Sequence, residues 1–198
     1  RKINEKLGSN IALLQDLQGP KLRIGKVDGE IHLVDGESII VTTVDCISTK
    51  DKLFVSYDRL PLDAKPGERI LLNDGKSELV IDSILDSKNL KATIVAGGVL
   101  TSNKGFNLPN TKVTIPCLTE KDLIDLAFII EQECDWVALS FVRSVDDIVK
   151  LRGKLNEKNS KTKIIAKIEK PEALVNIRDI ILESDAIMIA RGDLGVEI

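Results

Sequence analysis

The second half of the sequence alternates helix-length amphipathic segments with short apolar runs, and this pattern constrains the fold more than any other feature. The runs have the near-continuous hydrophobicity of strands that are covered on both faces. They are 136–141, 163–168 and 186–190. Strict alternation of helix and strand is typical of βα units that feed a parallel sheet.

Capping signals mark the predicted helices between these runs. Thr119 with Asp122, and Ser144 with Asp147, have the spacing of capping boxes, in which two side chains pair reciprocally with backbone N–H groups. Pro171 suits the first turn of a third helix, because its missing N–H would have no partner there anyway. We expect the third helix to present one apolar stripe, formed by Ala173, Leu174, Ile177 and Ile181.

The segment from 24 to 115 has a different pattern, with short β-rich runs separated by turn residues and no capped helix between them. The runs are 38–43, 53–57, 69–72, 78–81 and 90–96. Asn73-Asp74-Gly75 is a strong hairpin signal between two of them, because glycine readily adopts the positive φ of tight turns. This segment is therefore predicted to form a small antiparallel β-barrel.

An earlier apolar run, 10–17, precedes this insertion, so the chain is predicted to hold about half of the eight strands of a (β/α)₈ barrel. The predicted fold class is α/β, a partial TIM barrel with an inserted small antiparallel β-barrel domain. The predicted divisions are 1–23 for the first part of the barrel domain, 24–115 for the inserted lid and 116–198 for the second part. Arg1 in place of Met, and a last strand with no helix expected after it, predict an intact protein that continues on both sides.

Composition excludes several classes of function. A net charge of −3 with 3% aromatic residues offers neither the basic surface nor the stacking platforms of nucleic-acid binders. No apolar run approaches the roughly 20 residues that cross a bilayer, so no membrane partner is expected. Three scattered cysteines favour a reducing cytoplasm over a disulfide framework or a zinc site. His32, the only histidine, is interpreted as a surface strand residue, which leaves the chemistry to Lys, Arg, Asp and Glu.

Charged side chains follow the apolar runs, at the strand ends where parallel βα folds place their chemistry. Residues 16–23 combine one acid and two bases around a Gly-Pro turn. Lys167 and Glu169 alternate along one strand and therefore point to the same side of it. Asp193 is bracketed by glycines, and the backbone N–H groups around it could receive an anion.

These strand ends offer the groups that a divalent cation and an anionic substrate need. Glu169 and Asp193 supply hard oxygen ligands suited to Mg²⁺, and Lys167 supplies a point charge suited to a phosphoryl or enolate oxygen. Ordinary strand-end salt bridges explain the same spacing equally well, so the spacing alone leaves both interpretations open.

Six ordered blocks of the sequence resemble the signature segments of the pyruvate kinase family, and together they span nearly the whole chain. The blocks are 16–23, 104–109, 118–122, 140–143, 164–169 and 185–198. The resemblance implies transfer of a phosphoryl group from phosphoenolpyruvate to ADP, giving pyruvate and ATP. It also implies a requirement for Mg²⁺ or Mn²⁺ and a homotetrameric full-length enzyme, of which this chain alone is expected to be inactive.

The resemblance also implies roles for individual residues at the phosphoryl-transfer site. Lys167 would stabilise charge on the transferring phosphoryl group, and Glu169 and Asp193 would bind the metal. Gly192 and Asp193 would hold the substrate carboxylate through their amides. Phe141 resembles an aromatic wall beside the substrate, although packing at the top of the barrel explains it equally well.

Further roles are implied around the nucleotide and the monovalent cation. Arg23 resembles a catalytic arginine that also meets nucleotide phosphates, and Lys104 resembles a second nucleotide contact. Asp74 resembles a lid residue that reaches the nucleotide, with a plain turn residue as the open alternative. Asp16, Leu17 and Lys21 fall in the region where many members bind K⁺. Those members have Thr and Glu where this chain has Leu17 and Lys21, so the resemblance is to members that need no K⁺.

Two other kinds of function remain open for this pattern of residues. A Mg²⁺-dependent aldolase or lyase that acts on pyruvate enolate also places Glu and Asp ligands at barrel strand ends, although it has no need of an inserted lid. A non-catalytic structural fragment is the other alternative.

Overall fold

The computed structural model describes residues 2–198, so Arg1 lies outside the described residues. The helices are α1 (Lys2–Leu7), α2 (Leu60–Asp63), α3 (Glu120–Glu131), α4 (Val145–Glu157), α5 (Pro171–Val175), α6 (Ile177–Glu183) and α7 (Arg191–Glu197). The strands are β1 (Leu14–Leu17), β2 (Ile31–Leu33), β3 (Ser38–Thr42), β4 (Lys52–Phe54), β5 (Arg69–Leu72), β6 (Ser77–Ile84), β7 (Asn89–Ala96), β8 (Gly98–Leu100), β9 (Phe106–Asn107), β10 (Trp136–Leu139), β11 (Lys163–Ile168) and β12 (Ala186–Ile189).

The chain divides into two compact units, and each unit is made of two separate stretches of the sequence. The first unit contains the residues up to Pro20 and Pro116–Leu194. The second unit contains Lys21–Ile115 together with Gly195–Ile198.

The first unit is built on a parallel sheet of four strands in the order β1-β10-β11-β12. One face of this sheet packs against the helices and forms an apolar core. Its strand residues include Leu17, Val137, Leu139, Ile164, Ala166 and Ile168. The alternating sequence pattern therefore predicted the parallel pairing correctly. The predicted burial of both strand faces is wrong for β12, the edge strand, where Ile187, Met188 and Ile189 are exposed.

The start of α3 confirms the first predicted capping box. Thr119 accepts a hydrogen bond from the backbone N–H of Asp122, and the Asp122 carboxylate accepts one from the backbone N–H of Thr119. The second predicted box is wrong, because Ser144 makes no side-chain capping bond. The Asp147 carboxylate accepts instead from the backbone N–H of Arg143, one residue further upstream.

The third predicted helix is broken into α5 and α6, so its predicted apolar stripe is correct only at Ala173 and Ile177, which pack in or against the apolar core. Asn176 ends α5 and precedes α6, and its side-chain amide donates to the carbonyl oxygens of Arg143 and Glu172. The break rotates the two halves relative to the expected stripe. Ala173 and Ile180 are buried, whereas Leu174 and Ile181 are largely exposed.

The segment after β12 forms helix α7, whereas the sequence predicted a polar loop with no helix after the last strand. The glycines at 192 and 195 lower helix propensity and led to the loop prediction. Both have room around them for a β-carbon, so neither is required by a close contact.

The second unit contains a sheet of six strands in the order β4-β3-β7-β6-β5-β9 and a separate pair, β2-β8. Most neighbours are antiparallel, as predicted, but β3 and β4 pair in parallel. The sheet is therefore mixed. Consecutive strands joined by a long link need not form a hairpin, and the link from 43 to 51 is long enough to bring the chain back to start β4 in the same direction.

Two local features of the second unit test the turn and helix predictions. The predicted hairpin is present: β5 and β6 pair antiparallel, and Asn73, Asp74 and Gly75 all have positive φ. A short helix, α2, interrupts the β-rich segment where none was predicted, with Pro61 in its first turn and no side-chain cap. Four residues are too few for a periodic sequence signal.

The remaining sequence predictions concern isolated residues and membrane helices. His32 is exposed on β2, and the cysteines are unpaired, with Cys117 and Cys134 buried. Within residues 2–198, no helix combines the length and the apolar character that crossing a bilayer requires.

Candidate active site

Lys167 and Glu169 meet at the carboxyl end of β11, as the two-residue alternation predicted. The ammonium nitrogen of Lys167 lies 3.0 Å from Oε1 of Glu169 and 3.2 Å from Oδ2 of Asp16. Side-chain alternation places Lys167 on the sheet face opposite the helix-packed core, together with Asp16 on β1. The Glu169 side chain is 1% exposed and that of Lys167 is 13% exposed, so the pair is largely shielded from water.

The electrostatics of the site favour a permanently charged lysine. Burial by itself lowers the pKa of Lys167, but the hydrogen bond and charge of Glu169, with the charge of Asp16, outweigh it and raise the pKa above its usual value. Lys167 therefore acts as a fixed positive charge rather than as a proton carrier near neutral pH.

Ser140 is a third contact of Lys167, and the sequence analysis gave it no role. Its hydroxyl oxygen accepts a hydrogen bond from the ammonium at 2.9 Å and donates to the carbonyl oxygen of Leu17 at 2.7 Å. The apolar run 136–141 predicts a strand that continues to Phe141, whereas β10 ends at Leu139. A shorter run would have exposed Ser140 as a strand-end residue.

Phe141 contributes its backbone to the site. Its N–H donates to Oε2 of Glu169 at 2.7 Å, so Glu169 is held at both oxygens. Phe141 adopts φ of 56°, a left-handed conformation that is uncommon for a bulky residue. Gly19 lies against the Phe141 ring, because a β-carbon built on it would be 3.0 Å from Cδ2 of the ring. The Phe141 ring therefore packs against Gly19 while the Phe141 N–H holds the Glu169 carboxylate.

The loop after β1 is anchored to the start of α3. The backbone N–H of Gly19 donates to Oδ1 of Asp122 at 3.1 Å, while the other carboxylate oxygen of Asp122 caps the helix at Thr119. Asp122 is fully buried. One carboxylate thus fixes both the helix and the Gly19 turn, a second role that the capping pattern could not reveal.

Asp193 and Gly192 lie in the first turn of α7, and both are exposed. Within residues 2–198, no hydrogen bond or ion pair joins Asp193 to Glu169 or Lys167. The first unit therefore brings Lys167 and Glu169 together with Asp16, and leaves Asp193 as a separate carboxylate that follows the neighbouring strand.

The donor set suits a hard divalent cation. Mg²⁺ is commonly held by one or two carboxylates, with water and substrate oxygens completing its octahedron. Glu169 is a buried carboxylate oriented from both sides, and Asp193 is a carboxylate with no ion pair among residues 2–198. No group of three or more His, Cys, Asp or Glu side chains in the described part of the chain forms a site enclosed by protein ligands alone. Glu169 and Asp193 are therefore carboxylates of the kind that Mg²⁺ binds.

The residues expected at the nucleotide gather at one end of the second unit. The Arg23 guanidinium donates to the carbonyl oxygen of Asn103 at 2.8 Å, and the carbonyl oxygen of Lys104 accepts from the N–H of Ile24. The Asn73 N–H, in the turn that carries Asp74, donates to the carbonyl oxygen of Gly105. Arg23, Lys104 and the Asp74 turn are thus linked through the 103–105 segment.

The three residues in the expected K⁺ region differ in their surroundings. The Asp16 side chain is about half exposed and pairs with Lys167. The Leu17 side chain is fully buried in the apolar core, and its carbonyl oxygen accepts from Ser140. Lys21 is exposed and begins the second unit.

The fold and the site together define an α/β protein with a half-barrel sheet whose charged residues gather at the carboxyl ends of the strands. The family model "Pyruvate kinase, barrel domain" matches residues 1–198. The chain belongs to the pyruvate kinase family, whose members are phosphotransferases.

Individual relatives agree with this assignment. The chain is 42% identical over 199 residues to the pyruvate kinases of Mycobacterium tuberculosis and Corynebacterium glutamicum, covering all of this chain and 42% of each relative. A crystal structure of a pyruvate kinase from Cryptosporidium parvum matches with a TM-score of 0.92 and 31% identity, over all of this chain and 42% of that one. The chain therefore spans less than half the length of these relatives.

Proposed function

We propose that this chain supplies the phosphoryl-transfer site of a pyruvate kinase, which moves a phosphoryl group from phosphoenolpyruvate to ADP. The observation that carries the proposal is the buried Lys167–Glu169 pair at the carboxyl end of β11. We further propose that the first unit is half of a (β/α)₈ barrel and that the β-rich part of the second unit is its inserted lid.

Lys167 provides the central electrostatic contribution. Phosphoryl transfer proceeds through a loose transition state that spreads negative charge over the phosphoryl oxygens, so positioning and fixed positive charge dominate its catalysis. The raised pKa of Lys167 keeps its ammonium charged across the physiological range. Its shielding from water strengthens its interaction with an anionic group bound beside it.

Glu169 and Asp193 are the proposed metal ligands, and Gly192 and Asp193 the proposed contacts of the substrate carboxylate. A bound Mg²⁺ or Mn²⁺ supplies Lewis-acid stabilisation of phosphoryl and enolate oxygens. The Phe141 N–H and the Lys167 ammonium orient Glu169 so that its carboxylate keeps a single direction. Phe141, whose backbone N–H donates to this carboxylate, is the residue whose ring we propose as a wall of the substrate site.

Arg23, Lys104 and Asp74 are the proposed contacts of the nucleotide. Two of them are cationic, as phosphate recognition requires, and they gather at one end of the second unit. Closing such a lid over the site would exclude water, so that the phosphoryl group reaches ADP rather than solvent. Three unpaired cysteines are consistent with a cytoplasmic location for the reaction.

The test of this function is a coupled assay in an enzyme of the relatives' full length that contains this chain. We expect ATP and pyruvate to form in equal amounts from phosphoenolpyruvate and ADP, and the Lys167→Met variant to lower kcat by at least about a hundredfold. The affinity for Mn²⁺ should change little, because both proposed ligands remain and the Phe141 N–H still orients Glu169. Cleavage of a carbon–carbon bond in an oxo-acid, without ATP formation, would favour the aldolase or lyase instead.

The same assay on the 198 residues alone distinguishes an enzyme from a fragment. We expect no measurable ATP, since the relatives supply further residues over more than half of their length. Robust ATP production by the isolated chain would contradict this expectation.

A further inference from the structure

We infer that Ser140 is a positioning residue for phosphoryl transfer, and that its hydroxyl fixes the direction of the Lys167 ammonium. The inference deepens the proposed function and rests on it. Ser140 follows β10, the strand between the one that carries Asp16 and the one that carries Lys167.

The hydrogen-bond directions at Ser140 are determined by its neighbours. The hydroxyl has one hydrogen, and two oxygens near it can accept: the carbonyl oxygen of Leu17 at 2.7 Å and Oδ1 of Asp16 at 3.3 Å. The shorter contact, with Leu17, takes the hydrogen. The lone pairs of Oγ therefore remain for the Lys167 ammonium, which can only donate and lies 2.9 Å away. Ser140 is 2% exposed, so water does not compete for either bond.

The Ser140 hydroxyl is a neutral acceptor, so it can orient the Lys167 ammonium without reducing its positive charge, as the two carboxylates do. Asp16 and Glu169 attract the ammonium, but each also offsets its positive charge. The Ser140 hydroxyl orients the ammonium through a hydrogen bond while leaving its full charge available to an anionic substrate. The Asp16 side chain is also 53% exposed, so it is the less rigid of the neighbouring acceptors.

The position of Ser140 also ties the site to the sheet. Lys167 has four rotatable side-chain bonds, and ordering such a chain costs up to about 2 kcal/mol of conformational free energy. Ser140 is itself held by the backbone of β1, which is paired along its length with β10. The ammonium is therefore oriented by two backbone segments that cannot move independently.

The experiment compares Ser140→Ala with Ser140→Thr in the full-length enzyme. We expect Ser140→Ala to lower kcat about tenfold, the loss expected for one hydrogen bond to a charged group, with the Mn²⁺ dissociation constant within about twofold of wild type. Ser140→Thr keeps the hydroxyl and should retain most of the kcat. Thr162→Val is the matched control, because it removes another buried hydroxyl of the first unit that donates to a carbonyl, 2.9 Å away at Cys134.

A second readout separates this inference from the proposed function. The ¹⁵N signal of the Lys167 ammonium is observed by NMR only while hydrogen bonds slow its proton exchange, whatever reaction the enzyme performs. We expect this signal in wild type, Ser140→Thr and Thr162→Val, and its loss in Ser140→Ala. Retention of both the signal and the kcat in Ser140→Ala would overturn the inference, whereas absence of ATP formation in wild type with the signal intact would overturn the proposed function alone.

Discussion

The ammonium of Lys167 lies 3.0 Å from Oε1 of Glu169, and both side chains are largely buried. Removing one partner of such a pair leaves an uncompensated buried charge, which costs more than the pair itself contributes. The pair therefore has measurable consequences for stability as well as for catalysis.

Lys167→Met should destabilise the first unit by about 3 kcal/mol, because the buried Glu169 carboxyl loses the partner that offsets the cost of its burial. Adding Glu169→Gln to it should recover part of that loss, so that the double variant is more stable than the sum of the two single changes implies. Trp136, the only tryptophan, lies on β10 and reports unfolding of the first unit by fluorescence in urea. Strict additivity of the two changes would show that the pair is not coupled.

The full-length enzyme should need no K⁺. Leu17 offers no side-chain oxygen to a cation, and the ammonium of Lys21 can supply the positive charge that K⁺ would provide. We expect less than about a twofold change in kcat when K⁺ replaces a large organic cation at constant ionic strength. Lys21→Glu should lower activity and gain activation by K⁺. A large K⁺ activation of the wild type would refute this prediction.

Gly19→Ala should destabilise the first unit by about 2 kcal/mol, because φ is +65° there and the new β-carbon would approach both Phe141 and Ser140. Gly153 provides the matched control. It lies inside α4, and nothing is within 4 Å of a β-carbon built on it. Gly153→Ala should therefore stabilise the first unit by about 0.5–1 kcal/mol. Urea unfolding followed at Trp136 measures both. Equal effects of the two changes would contradict the proposed crowding at Gly19.

Asp185→Asn should make the first unit less sensitive to acid. Burial raises the pKa of Asp185, but hydrogen bonds from the Ile164 N–H and Arg152 outweigh it and lower the pKa below the ordinary 3.8. A lowered folded-state pKa gives stability that is present above pH 3.8 and is lost as the pH falls through the folded-state value.

The free energy of unfolding of wild type should therefore exceed that of Asp185→Asn by about 1–2 kcal/mol at pH 7. This difference should shrink below about pH 4. Urea unfolding at each pH measures it. Asp179→Asn, at an exposed site in the same unit, is the control and should show a much smaller difference. A difference for Asp185→Asn that stays constant from pH 7 to pH 3 would contradict the prediction.

Alkylation at pH 8 should be confined to Cys46. Burial, with the neighbouring charge of Asp147, raises the pKa of the Cys117 thiol to about 12, so almost none of it is thiolate, the reactive form. Cys134 is buried, whereas Cys46 is partly exposed. Mass spectrometry after iodoacetamide treatment identifies the modified residue, and alkylation of all three cysteines in urea is the control. Modification of Cys117 at the rate of Cys46 would contradict the assigned environment.

The sequence by itself determined the features that depend on local repetition. The alternation of apolar runs and helical stripes specified the parallel sheet, because strand and helix periods differ along any short stretch. It did not specify that the edge strand β12 is exposed. Two-residue alternation also brought Lys167 and Glu169 to one side of β11, and the Thr119–Asp122 box was visible in four consecutive residues.

Only the tertiary structure decided how distant segments meet. Ser140 contacts Lys167 and the Leu17 carbonyl across three strands, and the Phe141 N–H reaches Glu169 because the backbone turns left-handed there. The parallel pairing of β3 with β4 likewise depends on which strands become neighbours in the folded sheet. Spacing along the chain reports which side a residue faces, whereas the partner it finds depends on packing and strand order, which no local period encodes.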